Sequence, residues 1–376
     1  MPYVTTPLSP VTRQLTFEEI IMGEVDVSRP VYSNATNTRT VFVKSISNEV
    51  AQKARVASLT KQLQEFAENF RGLYEVDRRS LYDTFYIPKK SGGLRRIDAP
   101  NDALMAALRV LKTILEGAMP ADHHTAAFAY VKGRSAVDAV KRHQRNDSHW
   151  FLKIDFSNFF GSTTKEFVVK TMMEIFPFCL LGEDGRTALE TALELCFLDG
   201  GLPQGTPISP LLTNIVMIPV DHQINKRLAK DEGNSWVYTR YADDMLISAH
   251  KSFDPKRVMD LISAALQHVE APYIFKREKT RYGSRAGSNW NLGVMLNKDN
   301  EITIGHKKKE RFRAMIHNYM TDRQNGTAWD PHDIQVLCGH IAYYRSIEPS
   351  WVCDLLERYS QKFGRNVEDT MKEDIR

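Results

Sequence analysis

The sequence predicts an α+β fold of packed layers, and three observations carry that prediction. Strand-like and helix-like segments are interleaved without the regular alternation that a doubly wound parallel sheet requires. Two apolar strand segments, WFLKIDFSNFF at 150–160 and VYTRYADDMLISA at 237–249, are each broken by acids. Helical apolar periodicity recurs from about residue 47 to residue 363. At 376 residues the chain has room for more than one subdomain.

Taken in order, residues 1 to about 45 are rich in Pro, Thr and Ser without an apolar period and read as an irregular arm. From Ser47 to Arg71 the pattern is helical, with Val50, Leu59, Leu63 and Phe66 able to share a stripe. TFYIPK at 84–89, SGG at 91–93 and LRRIDAP after it spell strand, tight turn and returning strand, a basic hairpin. Asn101 or Asp102 can cap a helix whose Leu104, Leu108, Leu111 and Leu115 recur at helical spacing. The 150–160 segment is a strand, and residues 164–196 read as two helices. Residues 237–249 read as strand, turn and strand. Residues 255–270 are helical, with Val258, Leu261, Ile262, Leu266 and Val269 on one face. Beyond about 300 the pattern is helical and basic.

Composition narrows the class. An apolar fraction of 42% and a charged fraction of 26% describe an ordinary soluble chain. Residues 200–220 carry no charge, but Pro203, Pro207, Pro210 and Pro219 with three glycines argue against a membrane helix, and the stretch 201–214 taken alone also reads as an ordinary proline-rich loop. The opening residues lack a signal-peptide pattern. Cys179, Cys196, Cys338 and Cys353 show neither pairing nor metal-type spacing, which predicts reduced thiols and a cytoplasmic setting. Net charge is only +4, yet lysine and arginine cluster at 89–96 and in HKKKERFR at 306–313, which suits a phosphate-rich partner.

The chemistry sits in three segments. Asp155 interrupts the first strand, and Asp243 and Asp244 interrupt the second. A buried carboxylate is costly unless compensated, so each acid alone reads as a surface turn. If the two strands are sheet neighbours, the three carboxylates converge, and the usual remedies for their repulsion are a raised pKa or a bound divalent metal. Oxygen ligands with open positions for phosphate suit Mg²⁺, and a pair of such ions can serve an in-line phosphoryl displacement. The third segment, GLPQGTPISPLLTN at 201–214, has glycines that permit close backbone approach to a ligand and a neutral hydrogen-bonding side chain in Gln204.

Together IPKKSGGLRRI, YVKGRS, FLKIDFSNFFGS, GLPQGTPISPLLTN, RYADDMLIS and KREKT resemble, in order, the successive motifs of a reverse transcriptase, and AYVKGRS and LCGHIAYYRSIEPSWVCDLLERY resemble the bacterial retron group. The resemblance implies a right-hand polymerase fold: an N-terminal extension over 1–80, fingers and palm over 81–295, and a helical thumb over 296–376. It implies RNA-directed DNA synthesis from dNTPs on a structured noncoding RNA template, in antiviral defence. With no toxin or nuclease domain recognisable in the sequence, a separate effector protein is expected as partner, and the composition predicts no membrane. Asp155, Asp243 and Asp244 match the family's metal-binding carboxylates and Lys279 its lysine near the pyrophosphate, a general acid. Phe160 stands where the family has a gate against the ribose 2′-hydroxyl. Gln204 matches the segment lining the incoming nucleotide, and Lys89 and Arg95 fall where the fingers meet the triphosphate. For the hairpin as a whole, Lys89, Lys90, Arg95 and Arg96, the competing reading is a solvated face.

The sequence also departs from the retron pattern. The Asn-Ala-x-x-His signature reads Ala139, Val140, Lys141, Arg142, His143, and the Val-Thr-Gly expected before the thumb reads Asn291, Leu292, Gly293. These departures leave open a branched RNA–DNA product, and they admit a defence-associated enzyme making untemplated or protein-primed DNA. A third reading is a noncatalytic RNA-binding scaffold. His123, His124 and His143 lack acids or cysteines at ligand spacing and are expected to serve packing or solvent roles. Tyr343, Tyr344 and Trp351 are expected to pack the thumb helices, and HKKKERFR to meet duplex backbone.

Overall fold

A computed structural model describes residues 38–89, 92–119, 124–231, 233–285, 287 and 292–375, with the helix backbone alone for 38–48. In chain order the helices are α1 (Thr38–Asn69), α2 (Asp102–Ala118), α3 (Ala136–Arg145), α4 (Lys165–Met172), α5 (Glu183–Glu194), α6 (Ser209–Ala229), α7 (Pro255–His268), α8 (His306–Gln324), α9 (Pro331–Ile347), α10 (Pro349–Phe363) and α11 (Val367–Ile375). The strands are β1 (Tyr82–Pro88), β2 (Leu94–Pro100), β3 (Trp150–Ser157), β4 (Trp236–Tyr241), β5 (Asp244–Ala249), β6 (Ile274–Phe275), β7 (Arg281–Ser284), β8 (Met295–Leu296) and β9 (Ile302–Thr303). Every strand pair is antiparallel, so the expected α+β class holds. Of the irregular arm expected over 1–45, residues 1–37 lie outside the described residues, and from Thr38 the chain is helical.

The chain divides into two compact units. The first holds the described residues of Met1–Val131, with Phe156–Lys230 and Arg257–Phe275; the second holds Lys132–Asp155, Asp231–Lys256 and the described residues of Lys276–Arg376.

In the first unit α1 buries Leu59, Leu63 and Phe66, while Val50 is 63% exposed, so the apolar stripe starts later than its spacing suggested. Strands β1 and β2 form the expected hairpin, with Ile87 opposite Arg95 and the Lys89 N–H donating to the Gly93 carbonyl at 2.9 Å. Asn101 caps α2 by accepting the Leu104 N–H at 3.0 Å, and Leu104, Leu108, Leu111 and Leu115 are wholly buried. The uncharged run 200–220 is a loop only to Ile208. Pro210 opens α6, and Leu211, Leu212, Ile215, Val216, Met217 and Val220 are all buried. The run lacks charge because this helix is enclosed on every side, and its first proline sits where a missing N–H costs nothing.

In the second unit β4, β5 and β3 are consecutive neighbours, and β7 pairs with the first half of β3. One face packs Phe151, Leu246, Val140, Val294 and Leu296 together. Helices α8 to α11 bury a separate core around Phe312, Ile316, Tyr319, Leu337, Val352 and Leu355. Tyr344 packs edge-on against Phe312 at 4.9 Å and Trp351 lies under the Lys309 ammonium, as expected for helix packing; Tyr343 departs from that expectation and is 45% exposed. Within HKKKERFR, Lys308 donates to the Gly293 carbonyl, Lys309 pairs with Glu348, the half-buried Arg313 lies over the Trp351 ring and Phe312 is core, which leaves Lys307 and Arg311 as its outward cations. Among the described residues no helix is long and apolar enough to cross a membrane.

Candidate active site

Strand β3 is buried on both faces, with Phe151 on one and Leu152 and Ile154 on the other, and Asp155, on the Phe151 face, comes at the end of the β5 pairing. In that register Asp155 stands directly opposite Asp244. Like charges so placed destabilise a sheet unless something compensates them. Tyr241 pairs with Asp244, so Ala242 and Asp243 form a two-residue turn. Ala242 has φ +57°, a conformation such turns usually give to Gly or Asn. The Arg240 guanidinium, 1% exposed, donates to the Ala242 carbonyl at 3.3 Å and braces that turn. The tip thereby holds Asp243 beside Asp244.

Two lysines face the three acids. Lys279 donates to Asp155 Oδ2 at 2.7 Å. Lys153 lies 3.0 Å from Asp244 Oδ2, a partner the sequence reading missed. Its signal was available: Lys153 precedes Asp155 by two positions, so both project from one face of β3. Burial, then the charges of Asp155 and Asp244, push the Asp243 carboxyl above its ordinary range. Burial also raises Asp244, against the pull of the Lys153 ammonium. The hydrogen bond to Asp155 raises Lys279 above the ordinary lysine value, so it carries its proton at neutral pH. A donor set made of carboxylate oxygens, still short of positive charge with two ammoniums in place, fits a hard divalent cation.

The remaining candidates belong to the first unit. Phe160 is half-buried, set edge-on against Phe159 at 5.6 Å, and its carbonyl accepts the Leu202 N–H. Gln204 is half-buried, and its carbonyl accepts the Asp98 N–H at 2.8 Å. Lys89 and Arg95 are exposed; Lys90 lies outside the described residues. Arg96 is not available as a free hairpin cation. It pairs with Asp98 at 2.9 Å and Asp199 at 3.1 Å, and Arg79 shares both acids. The glycines of the 201–214 segment also serve a different partner from the expected ligand. A Cβ at Gly201 would lie 2.1 Å from the Gly161 carbonyl oxygen, and one at Gly205, which has φ +125°, would lie 2.7 Å from the Asp98 carbonyl oxygen. The close approach is to the chain's own backbone.

The histidines take packing roles. His143 is wholly buried, with Nδ1 2.5 Å from Ser248 Oγ and Nε2 2.8 Å from Thr239 Oγ1, and burial pushes it down to about 3. The His124 ring accepts the Ala126 N–H at 3.1 Å, and His123 lies outside the described residues. So does Asn291, while Gly293 supplies the carbonyl that Lys308 holds.

Comparison with known proteins places the chain in a family. Residues 87–313 match the family model described as reverse transcriptase (RNA-dependent DNA polymerase). The retron Ec73 reverse transcriptase of Escherichia coli is 27% identical over 73% of this chain and 86% of its own. The retron Ec83 reverse transcriptase of the same organism is 27% identical over 82% of this chain and 96% of its own. Among solved structures, a telomerase from Candida tropicalis with a TWJ fragment of telomeric RNA is 12% identical at a TM-score of 0.46, over 83% of this chain and 61% of that one, too distant to add to the assignment. The chain belongs to the reverse transcriptase family, with its right-hand polymerase fold, and within it is an RNA-directed DNA polymerase of the bacterial retron type.

Proposed function

We propose that the enzyme extends a primer 3′-hydroxyl with deoxynucleotides on a structured noncoding RNA template, and that it does so in antiviral defence. The observation that carries the chemistry is the register that sets Asp155 opposite Asp244 with Asp243 at the adjoining turn. Asp155 and Asp243 would hold two Mg²⁺ ions, with Asp244 supporting them. Bound there, the ions would supply Lewis-acid stabilisation of the attacking and leaving oxygens. Lys279 keeps a proton on Nζ beside Asp155 and donates it to the departing pyrophosphate. Phe160 excludes a ribose 2′-hydroxyl, Gln204 lines the incoming nucleotide, and Lys89 and Arg95 engage its triphosphate. The division into an extension over 1–80, fingers and palm over 81–295 and a thumb over 296–376 belongs to this reading. So do a reducing, cytoplasmic setting, supported by four free cysteines, and a separate effector protein. The defence role rests on the family resemblance.

The test is primer extension on a defined RNA template with dNTPs and Mg²⁺. The wild type gives a run-off product complementary to the template. Asp155→Asn and Asp243→Asn give none, while binding the same RNA as the wild type does. Full extension by either variant refutes the site. Products whose sequence ignores the template refute templated copying and move the enzyme to the untemplated class.

A further inference from the structure

The opposite end of the β3–β5 pair carries a second constellation. Asp147 and His149 lie just before β3, and His250 follows β5. A carboxylate oxygen of Asp147 and a ring nitrogen from each histidine all lie within 4.8 Å of one another. His149 is six residues before Asp155 along the strand, about 20 Å at strand rise, so these groups are apart from the carboxylates of the polymerase site.

Their surroundings hold them for ligation. The His250 Nδ1 lies 3.1 Å from the Asp147 main-chain carbonyl, which can only accept. Nδ1 therefore carries the proton, and Nε2 keeps the lone pair a metal needs; a backbone carbonyl fixing the other ring nitrogen is a common arrangement at metal-bound histidines. The Arg285 guanidinium donates to Asp147 Oδ1 and leaves Oδ2 facing His149 Nε2 at 3.2 Å. The His149 main chain is pinned on both sides, donating to Ala249 at 3.0 Å and accepting from the Arg285 N–H at 2.7 Å. Between the two ligands Ser148 is wholly buried and accepts from Ser248 Oγ at 2.7 Å, while Asn146 exchanges hydrogen bonds with Ser235. Asp147 itself is set at φ +45° by this framework.

We propose that Asp147, His149 and His250 form a binding site for a borderline divalent transition ion, Zn²⁺ in the first instance, that staples the starts of β3 and of the segment after β5. Two imidazoles and one carboxylate suit Zn²⁺, with remaining positions open to water, whereas Mg²⁺ prefers oxygen donors. This site does not depend on the polymerase assignment.

Calorimetric titration of the tag-free full chain with ZnCl₂ in excess MgCl₂ tests it, with CoCl₂ absorption as the readout of ligand geometry. The wild type is expected to take up one equivalent of Zn²⁺ at micromolar affinity and to melt at a higher temperature with it. His149→Ala combined with His250→Ala weakens that uptake at least about tenfold, the smallest loss expected for disturbing a metal site. Asp155→Asn combined with Asp243→Asn retains it. Absence of uptake by the wild type, unchanged uptake by the histidine variant with its circular dichroism intact, or loss confined to the aspartate variant would each overturn the proposal.

Discussion

Lowering the pH from 7.5 to 5.0 tests the buried core of the second unit through His143. The imidazole is wholly enclosed, bridges Thr239 on β4 and Ser248 on β5, and is pushed down to about 3 by its burial, with the Arg142 charge adding to the effect. In the unfolded chain it titrates near the ordinary histidine value of about 6.5. The folded value is the lower one, so the unfolded state binds the proton first as acid is added. The neutral ring's contribution is thus complete above about pH 6.5 and is lost at about 1.4 kcal/mol per pH unit below it, down to about pH 3. Between pH 7.5 and 5.0 the loss sums to about 2 kcal/mol. His143→Gln removes the titration while keeping a donor and an acceptor for the two hydroxyls. The four described tryptophans, Trp150, Trp236, Trp329 and Trp351, all fall in the second unit, so urea unfolding followed by tryptophan fluorescence reports on this unit. The wild type should lose about 2 kcal/mol more than His143→Gln across that pH range. Parallel losses would show that the folded His143 takes up a proton as readily as the unfolded one, and the reasoning from burial would fail.

Other perturbations follow from single contacts. Gly201→Ala forces a methyl onto the Gly161 carbonyl and should cost about 3 kcal/mol or more, read as a lower melting temperature by circular dichroism. Lys153→Ala leaves Asp244 opposite Asp155 without its ion pair. With Lys153 20% and Asp244 27% exposed, the loss should be about 2 kcal/mol, between the surface and buried limits, and added Mg²⁺ should raise the variant's melting temperature more than the wild type's. Phe160→Ala should lower the preference for deoxynucleotides over ribonucleotides by about one to two orders of magnitude in single-nucleotide incorporation, with an unchanged ratio removing Phe160 from the gate.

The sequence alone determined the elements whose cause is local. Leucine spacing wrote α2, Asn101 or Asp102 offered its cap, and the apolar runs around Asp155 and around Asp243 and Asp244 wrote the strands that carry them. Order and identity of the motifs were enough to point to the family. What local pattern could not decide was which residues meet. The register that faces Asp155 with Asp244, and the Lys153 ammonium that answers it, exist only once distant strands pair. Arg96 looked like a free cation until Asp98 and Asp199 claimed it, and Gly201 looked like a ligand cradle until Gly161 filled the space. The same holds for the start of α6, where Pro210 suggested a loop while the surrounding core made a helix. Periodicity records which face of an element is buried, but a polar group's partner is chosen by packing between segments far apart in the chain, and the charge balance of this site is set by that packing.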